Sequence, residues 1–62
     1  MKTYDVEVYR DGKWWMVRIP ELDGLTQAYS EDEVDLMARE FIAVTTDVEI
    51  DEVGVRVHPV TN

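Results

Sequence analysis

The chain has 62 residues, enough for a single small domain, and it contains no cysteine that could staple the fold through a disulfide. Its 14 acidic and 6 basic residues give a net charge of −8, which argues against a nucleic-acid-binding surface or attachment to an anionic membrane and favours either a basic partner or simple solubility. No apolar run approaches the length of a membrane span and no secretory signal precedes the first predicted strand, so we expect a cytoplasmic protein.

Two alternating segments at the start of the chain predict a β-hairpin. Thr3 to Arg10 alternates between apolar and polar residues, as a strand with one buried face does. Asp11-Gly12 is typical of a two-residue turn, and Lys13 to Ile19 follows as the second strand. The buried face of the first strand carries Tyr4, Val6 and Val8.

The turn also predicts which residues face each other across the hairpin. A two-residue turn at this point places Val8 opposite Trp15 and Asp5 opposite Arg18, which is an attractive pair across the strands. A slip by one residue would place Arg18 in the core, so the alternation favours this register.

The third strand of the predicted sheet is short. Pro20 ends the second strand because it cannot donate to the ladder, and the segment from Pro20 to Gly24 is typical of a turn. Leu25 to Tyr29 then forms the third strand. The sequence does not determine which face of this strand is buried, because Leu25 and Tyr29 favour one face and Ala28 favours the other.

A single amphipathic helix is predicted to begin at Ser30, where Ser30 and Glu33 form the pattern of a capping box. The segment from Thr45 to Asp47 is predicted to end the helix, because β-branched residues and Asp favour it weakly. Leu36 falls on the side of the helix away from the sheet. The apolar stripe expected to pack on the sheet consists of Val34, Met37, Ala38, Phe41, Ile42 and Val44.

The rest of the chain predicts a loop and a fourth strand. The acidic segment from Asp47 to Glu52 is interpreted as a connecting loop, with Val48 and Ile50 as its apolar anchors. Pro59 closes the strand that follows. That strand is predicted from the alternation of Val53, Val55 and Val57.

The element order is therefore β-β-β-α-β, which is an α+β fold with an antiparallel meander and one parallel strand. A right-handed crossover through the helix makes the third and fourth strands parallel, and the fourth strand is expected beside the first. This gives one domain over residues 1–62, with sheet order 3-2-1-4 and one helix on one face. The other face of the sheet has no second layer to cover it.

The uncovered face is the best candidate for a binding surface. Clustered aromatic, Met and Arg side chains are enriched in interfaces, so this face is predicted to bind a protein or to self-associate. The alternative is that Trp14 only shields the hairpin by stacking on Tyr9. Leu36 is either a partner contact or an ordinary exposed leucine. The uncovered face also carries Asp5, and the candidate partner-binding residues are Glu7, Tyr9, Trp14, Met16, Arg18 and Leu36.

No pattern in the sequence predicts catalysis. Asp5 and Glu7 could supply carboxylates to a metal-dependent nuclease, but Arg18 is the predicted partner of Asp5. His58 is the only histidine, and it is expected to be structural or exposed. The glycines are isolated and form no phosphate-binding loop. We therefore predict a protein that is not an enzyme, with no catalytic, metal or cofactor site.

A degenerate pattern of short motifs runs along nearly the whole chain. It consists of a Pro-x-Leu-x-Gly turn at residues 20–24, a Thr at position 26 and a Ser/Thr-x-x-Glu cap at residues 30–33. In this pattern the chain resembles the HicB-like antitoxin family, although Leu25 stands where many members have a cysteine. The segments that carry the resemblance are Tyr4 to Val8, Asp11 to Val17, Ile19 to Gly24, Thr26 to Ala28, Ser30 to Val34 and Met37 to Arg39.

The resemblance implies a partial ribonuclease H-like fold that has lost catalysis. It also implies a partner, a HicA-like toxin, which is a small basic mRNA-cleaving protein whose active site the antitoxin covers. An acidic module suits this role because it can compete with RNA for a basic surface. Many members carry a C-terminal DNA-binding domain, and we expect this chain to correspond to the N-terminal domain of such a protein. The alternative is a self-associating structural or regulatory domain without a toxin, which forms a homodimer.

Overall fold

The structure is a computed structural model that describes residues 2–60. Short 3-10 turns at Pro20–Leu22, Glu31–Glu33 and Ile50–Glu52 join its main elements. These elements are β1 (Lys2–Asp11), β2 (Trp14–Ile19), β3 (Gly24–Ala28), α1 (Val34–Thr46) and β4 (Val53–Pro59).

The four strands form one mixed sheet in the order β3-β2-β1-β4. β1 runs antiparallel to β2 and parallel to β4, and β2 runs antiparallel to β3. The α+β fold class, the order 3-2-1-4 and the single helix are therefore confirmed. The likeness to part of a ribonuclease H fold stays a prediction.

The register of the hairpin differs by two residues from the expected one. The turn is centred on Gly12 and Lys13, one residue later than predicted, so Val8 pairs with Val17 instead of Trp15. Gly12 has a φ of 63°, which suits the first central position of a type II′ turn, the position that favours glycine. A shift of two leaves every side chain on its predicted face, and the alternation therefore could not reveal it.

The hydrophobic core lies between α1 and one face of the sheet. α1 packs against β2, β3 and β4, and its buried residues Val34, Ala38 and Ile42 follow one another four positions apart. Full burial of an aliphatic side chain such as Ile42 stabilises the fold by roughly 1.5–3 kcal/mol. The remaining buried residues of the core are Tyr4, Val6, Val8, Val17, Ile19, Ala28 and Val53.

The sequence did not determine which face of β3 is buried. In the structure, the buried face is the one that carries the small residues. Gly24 and Ala28 are buried, whereas Leu25 is 53% exposed on the opposite face. A Cβ at Gly24 would collide with the Phe41 ring and lie 2.6 Å from its Cζ. β3 therefore carries small residues because α1 crosses it closely.

The ends of the helix lie close to their predicted positions, but the predicted capping box between Ser30 and Glu33 does not form. The Glu33 carboxylate accepts the backbone N–H of Tyr29 at 3.0 Å, while the side chain of Ser30 makes no capping bond. At the other end, Asp47 adopts a left-handed conformation with a φ of 58° and donates its N–H to the Ala43 carbonyl. Asp tolerates this conformation better than most residues, which explains the stop.

Three apolar residues that were expected to pack inward are exposed instead. Val44 is 84% exposed because it lies on the helix flank beyond β3, the edge strand, where no further strand covers it. Val48 and Ile50 are 43% and 39% exposed, so their predicted role as loop anchors is wrong. All three lie in or next to the acidic part of the chain.

Gly24→Ala is expected to lower the free energy of unfolding by about 1–3 kcal/mol, because the added methyl group overpacks the contact between β3 and α1. Urea denaturation in a double-mutant cycle with Phe41→Ala separates this collision from other effects. With the ring removed, Gly24→Ala should cost less than about 0.5 kcal/mol. The same cost in both backgrounds would contradict the packing described here.

Candidate protein-binding surfaces

The face of the sheet opposite α1 is covered by no other part of the chain within residues 2–60. Strand alternation brings its side chains to one side, and we call this surface the open face. The residues predicted to lie on the uncovered face all do so: Asp5, Glu7, Tyr9, Trp14, Met16 and Arg18. The open face consists of Thr3, Asp5, Glu7, Tyr9, Asp11, Trp14, Met16, Arg18, Leu25, Gln27, Arg56 and His58, together with Tyr29 just after β3.

The half of the open face nearest the hairpin turn is aromatic and apolar. The rings of Trp14 and Tyr29 lie 4.8 Å apart at an angle of 45°, which is a favourable tilted arrangement. The predicted stack of Trp14 on Tyr9 is wrong, because the register pairs Tyr9 with Met16. Tyr29 remains 74% exposed, so this aromatic surface meets water rather than a second layer of the chain.

The other half of the open face carries charges that are paired with each other. Arg18 donates to the Glu7 carboxylate at 3.3 Å. The Asp5 carboxylate accepts from Arg56 at 3.2 Å and lies 2.9 Å from Nε2 of His58. The predicted pair between Asp5 and Arg18 does not form, because the register places Glu7 opposite Arg18. Two carboxylates and two guanidinium groups thus cancel in this half of the face. In the aromatic half, Asp11 lies beside Trp14, and the Lys13 ammonium lies 5.4 Å from the centroid of the Trp14 ring.

The pKa of the Asp5 carboxyl lies below its ordinary value of 3.8. The hydrogen bond with His58 is the largest cause, and the charge of Arg56 adds to it against the opposing effect of desolvation. The cluster therefore favours the ionised form of Asp5.

The net charge of the chain comes from the segment that connects β3 to β4. Residues 30–52 contain nine acidic residues and one basic residue, a net charge of −8, while the five acidic and five basic residues elsewhere cancel. This segment forms α1 and the turns at its ends, and we call its outer surface the helix side. Its one base, Arg39, is bound by the Asp35 carboxylate at 2.8 Å and donates to the Val53 carbonyl. The helix side therefore presents negative charge with little compensation.

Exposed apolar side chains lie among these acids. Leu36 is 51% exposed and Val44 84% exposed. Residues four apart are neighbours on a helix surface, so Leu36, Glu40 and Val44 form one row with the carboxylate in the middle. Val48 and Ile50 extend the exposed apolar surface past the end of the helix. The helix side thus combines acids with four exposed aliphatic residues.

The structure divides the predicted candidate residues between two surfaces. Glu7, Tyr9, Trp14, Met16 and Arg18 lie together on the open face, whereas Leu36 lies on the helix side. The residues that sequence analysis missed on the open face are Thr3, Asp11, Leu25, Gln27, Tyr29, Arg56 and His58.

The sequence did hold a signal for part of this missed set. The small residues Gly24 and Ala28 mark the side of β3 beneath a helix, and so they place Leu25 on the open face. The alternation of Val53, Val55 and Val57 likewise places Arg56 and His58 on the open face. Their pairing with Asp5 and Glu7 depends on the parallel register of β1 with β4, which the sequence does not specify.

Two further observations limit the chemistry of the described chain. Within residues 2–60, no three His, Cys, Asp or Glu side chains lie together in a way that could hold a metal ion. No helix in that part of the chain has the length and apolar character needed to cross a membrane. The Asp5 carboxylate, the acid singled out for a metal site, is instead bound by Arg56 and His58.

Removing His58 is expected to raise the pKa of Asp5 toward 3.8, and to raise it more than removing Arg56 does, because the His58 hydrogen bond is the larger cause. An NMR titration of the Asp5 carboxyl carbon in the wild type, His58→Ala and Arg56→Ala measures the effect. Since the folded-state pKa is the lower one, the cluster stabilises the fold above the unfolded-state pKa, and this contribution is lost as pH falls through the folded-state pKa. An Asp5 titration that His58→Ala leaves unchanged would contradict the described cluster.

Comparison with known proteins identifies no family for this chain. No family model matches it, and neither a curated protein nor a solved structure matches it. Its function therefore has to be inferred from the two surfaces and from the motifs in the sequence.

Proposed function

We propose that this chain is a non-catalytic, antitoxin-like module that binds a small basic, RNA-cleaving toxin and masks its active site. The observation that carries this proposal is the segregation of charge: the helix side holds the entire net charge of −8 and exposes aliphatic side chains among its acids. A surface of this kind is complementary to a basic protein that also offers apolar contacts.

Charge complementarity suits the RNA-cleaving partner that the resemblance to HicB-like antitoxins implies. A ribonuclease needs a basic surface to hold the phosphate backbone of its substrate. An acidic module is attracted to that surface over a distance and competes with RNA for it, which raises the rate of encounter and suppresses other partners. Masking then requires no chemistry from the module itself.

The apolar residues of the helix side supply the short-range part of such an interface. Binding energy concentrates on a few well-packed anchors, and rim charges mainly set the orientation and the association rate. Leu36 and Val44 on α1 flank Glu40, so one helix face presents two anchors and a carboxylate between them. The sequence had already singled out Leu36 as a candidate contact.

The motifs shared with HicB-like antitoxins support the same proposal from a different direction. That resemblance implies a HicA-like toxin as the basic partner, and it implies that the ancestral ribonuclease H-like activity is lost. A toxin that cleaves mRNA acts where translation occurs, so the module is proposed to work in the cytoplasm. The metal-dependent nuclease alternative has no comparable support, because Asp5 is engaged by Arg56 and His58.

The proposal is tested by co-expressing the chain with the product of its neighbouring gene. We expect that product to be a small basic protein, to arrest growth when expressed alone, and to co-purify with the chain in a complex that weakens as salt is raised. A neighbour that is neither basic nor toxic, and that fails to co-purify, would contradict the proposed function.

Leu36→Ala is expected to weaken toxin binding about tenfold, equivalent to roughly 1.4 kcal/mol, because it truncates an interface anchor. Leu25→Ala is the matched control, since Leu25 is exposed to almost the same degree, 53% against 51%, but lies on the open face. Isothermal titration calorimetry of both variants against the toxin makes the comparison. Equal weakening by the two variants would show that the toxin does not dock on the helix side.

A further inference from the structure

We infer that the open face joins two copies of this chain in a symmetric dimer, with Arg18 of each copy opposite Glu7 of the other. The inference does not depend on the proposed toxin. It assigns a partner to the surface that the toxin proposal leaves unused.

The first argument is the charge of the open face. Its carboxylates, Asp5 and Glu7, are balanced by Arg18 and Arg56, although the chain as a whole carries −8. A third carboxylate, Asp11, lies beside Trp14, and it is balanced by the Lys13 ammonium that lies over the Trp14 ring. A basic partner would find no net attraction on this face. A neutral surface with exposed aromatic rings can instead be covered by a copy of itself without like charges meeting.

The second argument is the order of the charges across the sheet. The strand registers place one row of side chains across the four strands, in the order Leu25, Arg18, Glu7 and His58. A two-fold axis that lies parallel to the strands, midway between β1 and β2, reverses this order in the second copy. Arg18 then faces Glu7 of the second copy, and Glu7 faces Arg18 of the second copy. This is the self-complementarity that a two-fold interface requires.

The neighbouring row supports the same axis. Met16 and Tyr9 are directly paired on β2 and β1, one step closer to the hairpin turn. The same rotation places Met16 over Tyr9 of the second copy, and the reverse, so apolar groups meet apolar groups. A two-fold axis at right angles to the strands, through the charged row, would instead bring each charge onto its own equivalent. Of these two axes, only the one parallel to the strands satisfies both rows. In the row next to the turn, it places Trp14 over Asp11 of the second copy.

The third argument is the position of the remaining charge. Stacked sheets lie about 10 Å apart, and stacking through the open faces places both copies of α1 on the outside. Two sheets then separate the acidic helix sides by more than the Debye length of about 8 Å at physiological salt. The repulsion between two chains of charge −8 is therefore weakest in this arrangement.

The size of the open face indicates a reversible dimer. Four strands about 4.8 Å apart and six residues of about 3.3 Å each give a flat footprint of roughly 400 Å². Surfaces at this small end of the range form weak or transient contacts, so we expect dissociation in the micromolar range.

The test exchanges charges within the central row. Glu7→Arg alone places two arginines opposite two arginines, and Arg18→Glu alone places two glutamates opposite two glutamates, so each variant should dimerise more than about tenfold more weakly than wild type. An equimolar mixture of the two variants restores both opposite-charge contacts in a heterodimer. The double variant Glu7→Arg/Arg18→Glu restores them in a homodimer and keeps the pair within each chain.

Sedimentation equilibrium and native mass spectrometry of the protein alone distinguish the outcomes, with circular dichroism to show that each variant is folded. Glu40→Arg is the matched control, because it changes the net charge as Glu7→Arg does but lies on the helix side. We expect a wild-type dimer, weak self-association of each single variant, and recovery in the mixture and in the double variant. The inference would be overturned by a wild-type protein that stays monomeric at high micromolar concentration. It would also be overturned if dimerisation were recovered neither in the mixture of the single variants nor in the double variant.

Discussion

The close approach of α1 to β3 is the contact on which the rest of the structure depends. Gly24 leaves room for the Phe41 ring, and Ala28 is buried on the same face of β3, so α1 can lie close to this strand. One helix of this length fills one layer and no more. The buried aliphatic residues pack in that layer, and no other part of residues 2–60 covers the second face of the sheet.

Because the helix packs on only one face of the sheet, the protein has two surfaces that differ in charge and in their exposed apolar groups. The open face is neutral, with paired charges beside exposed aromatic rings. The helix side is strongly acidic and has aliphatic side chains among its carboxylates. A neutral, self-complementary face suits a second copy of the chain, and an acidic face suits a basic protein. A dimer joined through the open faces would present two acidic sides, and it could hold one basic partner on each.

The sequence was sufficient for the architecture because alternation, turn residues and the apolar stripe all pointed to the same fold. It failed where the decisive information was relative position. The hairpin shift of two residues preserves every face, and it changed the partner of Arg18 from Asp5 to Glu7. The exposure of Val44 follows from where α1 lies on an edge strand. Neither could be read from periodicity, and both bear on the surfaces that we assign to partners.

The assignment of a separate partner to each surface is tested most directly by NMR chemical-shift mapping of the isotope-labelled chain in two titrations. The account predicts that raising the protein concentration shifts amides of the open face, such as Tyr9 and Met16, while those of Leu36 and Glu40 stay unchanged. Adding the basic partner should do the reverse. If both titrations shift the same set of residues, the assignment of separate partners to the two surfaces is wrong.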